Sequence, residues 1–129
     1  IGFIGNSFYQ NVKDLDSYYR MLDNNILPVM RGMLLDNDDF IRREVINQIM
    51  CQFALDYCDI EQRFAINFTD YFTQELNELA DLSELGLLNL FVDRLVITNK
   101  GRFLIRNVAK VFDKYLRESI DNKRYSKVI

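Results

Sequence analysis

The chain has no histidine and no tryptophan, and only one proline, five glycines and two cysteines among 129 residues. Without imidazole, the commonest general base and the commonest transition-metal ligand are missing. That excludes a Ser-His-Asp triad, a Cys-His nucleophile pair and a His-containing zinc site within this chain. Two thiols, Cys51 and Cys58, are too few for an all-cysteine zinc site or a secreted disulfide scaffold. They fit a reducing cytoplasm and are expected to be buried or partly buried, as small core residues usually are. Neither a P-loop pattern nor a GxGxxG phosphate turn occurs. No apolar run reaches the roughly 18 residues of a membrane span, so no membrane partner is expected. The opening Ile1–Asn6 has no positive region ahead of an apolar core and does not read as a signal peptide. So little glycine and proline leaves scant room for long loops, which argues against a disordered linker.

Against these absences stand a length that suits one domain and a wealth of aromatics, ten Phe and seven Tyr. A helix-heavy globular chain is the default reading. Net charge is −3 but uneven: residues 1–98 hold 7 basic and 16 acidic residues, residues 99–129 hold 9 and 3. A basic tail is therefore attached to an acidic body. The chain begins without Met, which a processed chain or a fragment would show, and its abrupt apolar opening favours a fragment.

Periodicity supplies the elements. Ile1–Gln10 reads as a strand end and loop. Leu15, Tyr18, Tyr19 and Leu22 recur at i, i+3, i+4, i+7, predicting a helix over Lys13–Asn24. Pro28 forbids helix next to it, so Val29–Leu35 is extended. Asp36, with Asp39 three residues on, starts a second helix. Its core stripe is Ile41, Val45, Ile49 and Phe53. Leu55-Asp56-Tyr57 breaks it. A short helix over Ile60–Ala65, capped by Asp59, precedes a longer one over Thr69–Leu79, and Gly86 is a natural stop. The period then changes to two strands, Leu87–Phe91 and Leu95–Thr98, around a turn. Thr98 caps a final helix over Lys100–Ile120, with Leu104, Val108, Phe112, Tyr115 and Leu116 inward and Arg102, Arg106, Lys110 and Lys114 as a basic ridge. The expected fold is mainly α with a small β-hairpin, in the order of a winged-helix-like unit.

The functional candidates are few. The basic ridge is either a solvated face or a docking face for an acidic partner. DNA binding is disfavoured: the helix that would enter the major groove carries Asp70, Glu75 and Glu78 and no Lys or Arg, so phosphates would be repelled. The paired acids Asp14/Asp16 and Asp36/Asp38/Asp39 read as helix caps rather than as a converging acid–base pair. Arg31, ahead of Gly32, is available for a carboxylate on a neighbouring domain.

Short stretches in a specific order carry a family resemblance. They are Ile4-Gly5 with Tyr9-Gln10-Asn11; Tyr18-Tyr19; Arg31-Gly32; Asp38-Asp39 with Ile41-Arg42-Arg43-Glu44-Val45-Ile46; Cys51 with Phe53 and Leu55-Asp56-Tyr57; and Asp70-Tyr71-Phe72. Later come Gly86-Leu87, Lys100-Gly101-Arg102-Phe103-Leu104-Ile105-Arg106-Asn107, Phe112-Asp113-Lys114-Tyr115-Leu116 and the ending Tyr125-Ser126-Lys127-Val128-Ile129. In these the chain resembles the C-terminal part of the bacterial oxygen-independent coproporphyrinogen III oxidases, radical S-adenosylmethionine enzymes. The resemblance implies haem biosynthesis in the cytoplasm, with two propionates of coproporphyrinogen III oxidatively decarboxylated to the vinyl groups of protoporphyrinogen IX. It implies a [4Fe-4S] cluster and S-adenosylmethionine in a barrel domain absent here; no cluster motif exists in this chain, and the fragment alone is expected to be inactive. Residues 1–10 would be the tail of that barrel or a linker, and residues 11–129 a helical cover domain whose partner is its own barrel. By resemblance alone, Ile1 falls where the family contacts a second S-adenosylmethionine; no catalytic or metal-binding residue is expected in the chain. The alternatives are the C-terminal domain of a related haem chaperone, and a winged-helix DNA-binding module.

Overall fold

The computed structural model describes residues 1–117. The chain divides into two compact units, residues 1–40 and residues 41–129.

The first unit is a three-stranded antiparallel sheet, order β1-β2-β3, with one helix: β1 (Gly2–Ile4), β2 (Ser7–Asn11), α1 (Leu15–Asp23) and β3 (Val29–Leu34). Ile1–Gln10 is thus a hairpin as well as a strand end. Its turn is set by Gly5, whose φ of 59° favours glycine. The Asp14 side chain accepts from Ser17 N and caps α1. Hydrogen bonding from the Ser17 side chain, and then from its backbone N–H, holds the Asp14 carboxyl below its usual value. The helix spacing was correct, yet α1 buries none of its residues. All six residues of β3 are exposed.

The second unit contains the core. α2 (Asn37–Gln52) begins at a reciprocal cap: Asp36 N donates to the Asp39 carboxylate at 2.9 Å and Asp39 N to that of Asp36 at 2.8 Å. Ile41, Val45 and Ile49 are buried as their stripe predicts. The helix ends at Phe53, a bulky residue in the left-handed region, φ 58°. Beyond it the break is a strand, β4 (Ala54–Asp56), followed by α3 (Tyr57–Phe64). Asp56, accepting from Cys58 N and Asp59 N, is the cap of α3. The expected cap, Asp59, lies inside the helix, because the Asp56 carboxylate reaches the free amides first.

The expected single helix over Thr69–Leu79 is two: α4 (Phe68–Tyr71) and α5 (Thr73–Glu84). Thr73 Oγ1 donates to the carbonyls of Thr69 and Asp70 at 2.8 and 2.9 Å, a back-bond that bends helices. β5 (Leu88–Leu90) and β6 (Arg94–Ile97) form the predicted hairpin, and β4 joins it to make a sheet of order β4-β6-β5. Thr98 caps the next segment as expected, its Oγ1 accepting from Gly101 N.

The long final helix is broken into α6 (Asn99–Phe103), α7 (Ile105–Ala109) and a 3-10 turn (Lys110–Phe112). Leu104 N bonds to Gly101 O and Asn107 N to Leu104 O, three-residue steps that tighten the chain. The break leaves Leu104 exposed while Val108 and Phe112 are buried; Tyr115 and Leu116, also expected inward, are exposed. The expected helix beyond residue 117 and the ending Tyr125–Ile129 lie outside the described residues.

Candidate functional site

The aromatic wealth builds a spine through the second unit. The Tyr57 ring stacks on Phe68 at 4.2 Å, Phe68 meets Phe72 at 4.8 Å, and Phe72 meets Phe112 edge-on at 5.3 Å. The two Phe–Phe contacts lie in the favourable range for ring pairs, and the nearly parallel Tyr57–Phe68 stack is slightly closer. All four residues are buried. The Tyr57 hydroxyl has no hydrogen-bond partner among the described residues, and burial, with the charge of Asp93, pushes its pKa up to about 12.

Beside the spine sits a buried charge. Glu75 is 2% exposed. Its Oε1 accepts from Arg42 at 2.8 Å and from Arg117 at 3.3 Å. Arg42 also donates to the Phe112 carbonyl at 3.2 Å and lies over the Phe72 ring, 5.3 Å from its centre. Arg117 donates further to Glu78 and to the Val111 carbonyl. In the sequence Glu75 reads only as one of the acids that repel phosphate. Its partners lie 33 and 42 positions away along the chain, so no local pattern announces the network. Chemically it is a structural clamp: a buried carboxylate held between two guanidinium groups.

Among the described residues no group of three or more His, Cys, Asp or Glu stands ready to hold a metal ion. Cys51 and Cys58 are both exposed, which corrects the expected burial. Cys51 lies in the last turn of α2 and Cys58 in the first turn of α3, where the strand β4 between them carries the buried Leu55 in their place. Iron–sulfur clusters are held by sets of cysteine thiolates, usually four; two thiols on separate elements do not fit one.

A family model for the HemN C-terminal domain matches residues 35–104. The chain belongs to the HemN C-terminal domain family. Oxygen-independent coproporphyrinogen III oxidases of Escherichia coli K12 and of Helicobacter pylori are each 41% identical to it over 129 residues. Each match takes in 100% of this chain and 28% of the relative. The solved structure of the Escherichia coli coproporphyrinogen III oxidase (HemN), a radical SAM enzyme, superposes with a TM-score of 0.82 at 43% identity. That superposition covers 87% of this chain and 26% of the solved one. The chain therefore spans under a third of the length of these two relatives.

The matched segment of this HemN C-terminal domain opens at the capped start of α2 and closes at the break after α6. Within it, Lys100 donates to the Leu85 carbonyl at 2.8 Å, and Arg102 lies over the Phe53 ring at 4.5 Å. Gly101 packs where any Cβ would strike the backbone of Leu87, which explains why a glycine stands inside a cationic helix. Arg102, Arg106 and Lys110 are exposed as the ridge predicts, and Lys114 is half-buried. Arg31 bonds Gln10 across the β2–β3 ladder at 2.9 Å, so it is occupied within its own sheet. Ile1, the one ligand contact expected from resemblance, precedes β1 and is 94% exposed. No described helix is long and apolar enough to cross a membrane.

Proposed function

We propose that this chain is the cover domain of an oxygen-independent coproporphyrinogen III oxidase, closing a radical S-adenosylmethionine barrel carried by the rest of a longer protein. The relatives' names supply the reaction. The observation that carries the covering role is the bareness of the first unit. Ile4, Leu15, Tyr19, Leu27 and Leu34 are 60–77% exposed, and only Pro28, Leu35 and Asp39 reach burial. Soluble monomers seldom leave so much apolar side chain in water. A barrel tail entering at residues 1–10, with residues 11–129 lying over it, would cover these groups. Ile1, standing clear of β1, would reach the second S-adenosylmethionine from the cover side.

The cluster and S-adenosylmethionine, bound in the barrel, would supply the carbon radical that abstracts a propionate hydrogen. Nothing in this chain performs that step, and its two thiols cannot hold the cluster. What the chain contributes is exclusion of water and of stray C–H bonds from a reactive site. A packed aromatic spine braced by Glu75, Arg42 and Arg117 suits that task. Two unpaired exposed thiols suit a reducing cytoplasm. For the alternatives there is no matching support: the relatives reported bear the oxidase name. α5, the helix that a winged-helix DNA-binding module would have to place in the major groove, contains Glu75, Glu78, Asp81 and Glu84 and no basic residue.

The test is anaerobic turnover by the full-length protein, with S-adenosylmethionine and a reductant. Protoporphyrinogen IX should form, and a protein truncated before Ile1 should lose that activity while keeping its cluster. The 129-residue chain alone should bind a hydrophobic dye through its first unit. Haem binding without porphyrinogen consumption would move the assignment to the chaperone. A strictly monomeric chain that binds no dye would sink the covering role.

A further inference from the structure

Residues 94–112 contain Arg94, Lys100, Arg102, Arg106 and Lys110 and no aspartate or glutamate. In a chain with an acidic body, this is a concentrated positive segment. Its folding sorts the side chains sharply. α6, α7 and the 3-10 turn bury Gly101, Val108, Ala109, Val111 and Phe112, and expose Arg102, Phe103, Leu104, Arg106 and Lys110. Phe103 is 90% exposed, an aromatic residue that stands in the sequence between Arg102 and Arg106, on a segment that hides its other aromatic, Phe112. Arg102, held over Phe53, anchors one end of the row.

We propose that this face binds the substrate: Arg106 and Lys110 pair with carboxylates of a propionate-bearing tetrapyrrole while Phe103 lies against its apolar macrocycle. The inference rests on the oxidase reading above and adds the residues that would recognise the porphyrinogen from the cover side. The complementarity is chemical. A ligand that combines a broad apolar ring with carboxylates at its rim needs an apolar platform flanked by cations. Guanidinium groups pair with carboxylates through two parallel hydrogen bonds. An acidic protein surface would also match the charge, and the experiment below separates it.

The measurement is anaerobic steady-state kinetics on the full-length enzyme, varying coproporphyrinogen III. Arg106→Gln and Phe103→Ser should each raise KM by about tenfold, the scale of one charge-assisted hydrogen bond or one buried ring contact, with kcat changed less than about twofold. Arg106→Lys should recover part of the loss. Raising the salt should raise KM in the wild type and less so in Arg106→Gln. Lys13→Gln, which removes one exposed charge from the first unit, should leave KM alone. A fluorescence titration with coproporphyrin III, the stable oxidised porphyrin, should show the same ranking of affinities. Unchanged KM and unchanged porphyrin affinity in Arg106→Gln and Phe103→Ser overturn the proposal. So does an unchanged KM with a lowered melting temperature of the full-length protein, which would assign the face to docking against the rest of the chain. If the wild type binds coproporphyrin III through these residues but never consumes the porphyrinogen, the oxidase reading falls and the binding face stands.

Discussion

Glu75→Ala is the perturbation that tests the clamp of the second unit. In the wild type the Glu75 side chain is 3% exposed and those of Arg42 and Arg117 are 16% and 26% exposed. Removing the carboxylate takes from Arg42 its ion pair with Glu75 and leaves it contacts that include the Phe112 carbonyl and the Phe72 ring. Stripping one partner from a buried ion pair costs about 3–5 kcal/mol, mostly through the charge left behind. Arg117 keeps Glu78 and the Val111 carbonyl, and its larger exposure lets water share its charge, so the lower end applies: about 3 kcal/mol. For a unit of this size that is a fall of roughly 15 °C in Tm. The assay is urea unfolding followed by far-ultraviolet circular dichroism, comparing midpoints at equal slope. A companion variant, Arg42→Met with Glu75→Leu, replaces both charges by apolar groups and should return to within about 1 kcal/mol of wild type. A loss under about 1 kcal/mol in Glu75→Ala would refute the clamp. A double variant as damaged as the single one would show that packing, not a stranded charge, explains the loss.

Ala65 ends α3 in the left-handed region at φ 53°, so Ala65→Gly should stabilise the chain by about 1 kcal/mol, read as a raised urea midpoint. Gly101→Ala would drive a Cβ into the Leu87 backbone and should cost about 3 kcal/mol or more, leaving little folded protein by circular dichroism. Tyr57→Phe removes an unpartnered buried hydroxyl and should be neutral or stabilising by up to about 1 kcal/mol. Because the folded pKa of Tyr57 is raised from 10.0 to about 12, its neutral form is the one the fold keeps. That contribution is complete below pH 10 and is lost as pH rises through about 12. Urea midpoints at pH 8 and pH 11.5 should therefore differ more in the wild type than in Tyr57→Phe, and equal differences would contradict the assignment.

The sequence by itself determined which side-chain chemistries the chain lacks and which family it belongs to. The missing imidazoles and the two lone thiols are facts of composition that no folding can change. The caps at Asp14, Asp36 and Thr98, the extended segment after Pro28 and the β5–β6 hairpin were also legible, because each depends on hydrogen bonds or alternation within a few residues. Only the tertiary structure decided the rest. The α4–α5 break needs the Thr73 back-bonds, and the end of α2 needs a left-handed Phe53 whose carbonyl accepts from Ile97 N across the sheet at 2.8 Å. The exposure of both thiols and the sorting of Phe103 outward with Phe112 inward depend on which face a neighbour covers. Glu75 reads in sequence as one more acid on a helix, and becomes a clamp only when Arg42 and Arg117 arrive from distant segments. Local bonding leaves its mark on neighbouring residues; burial is a property of what packs on top, and that is set by contacts between positions far apart in the chain.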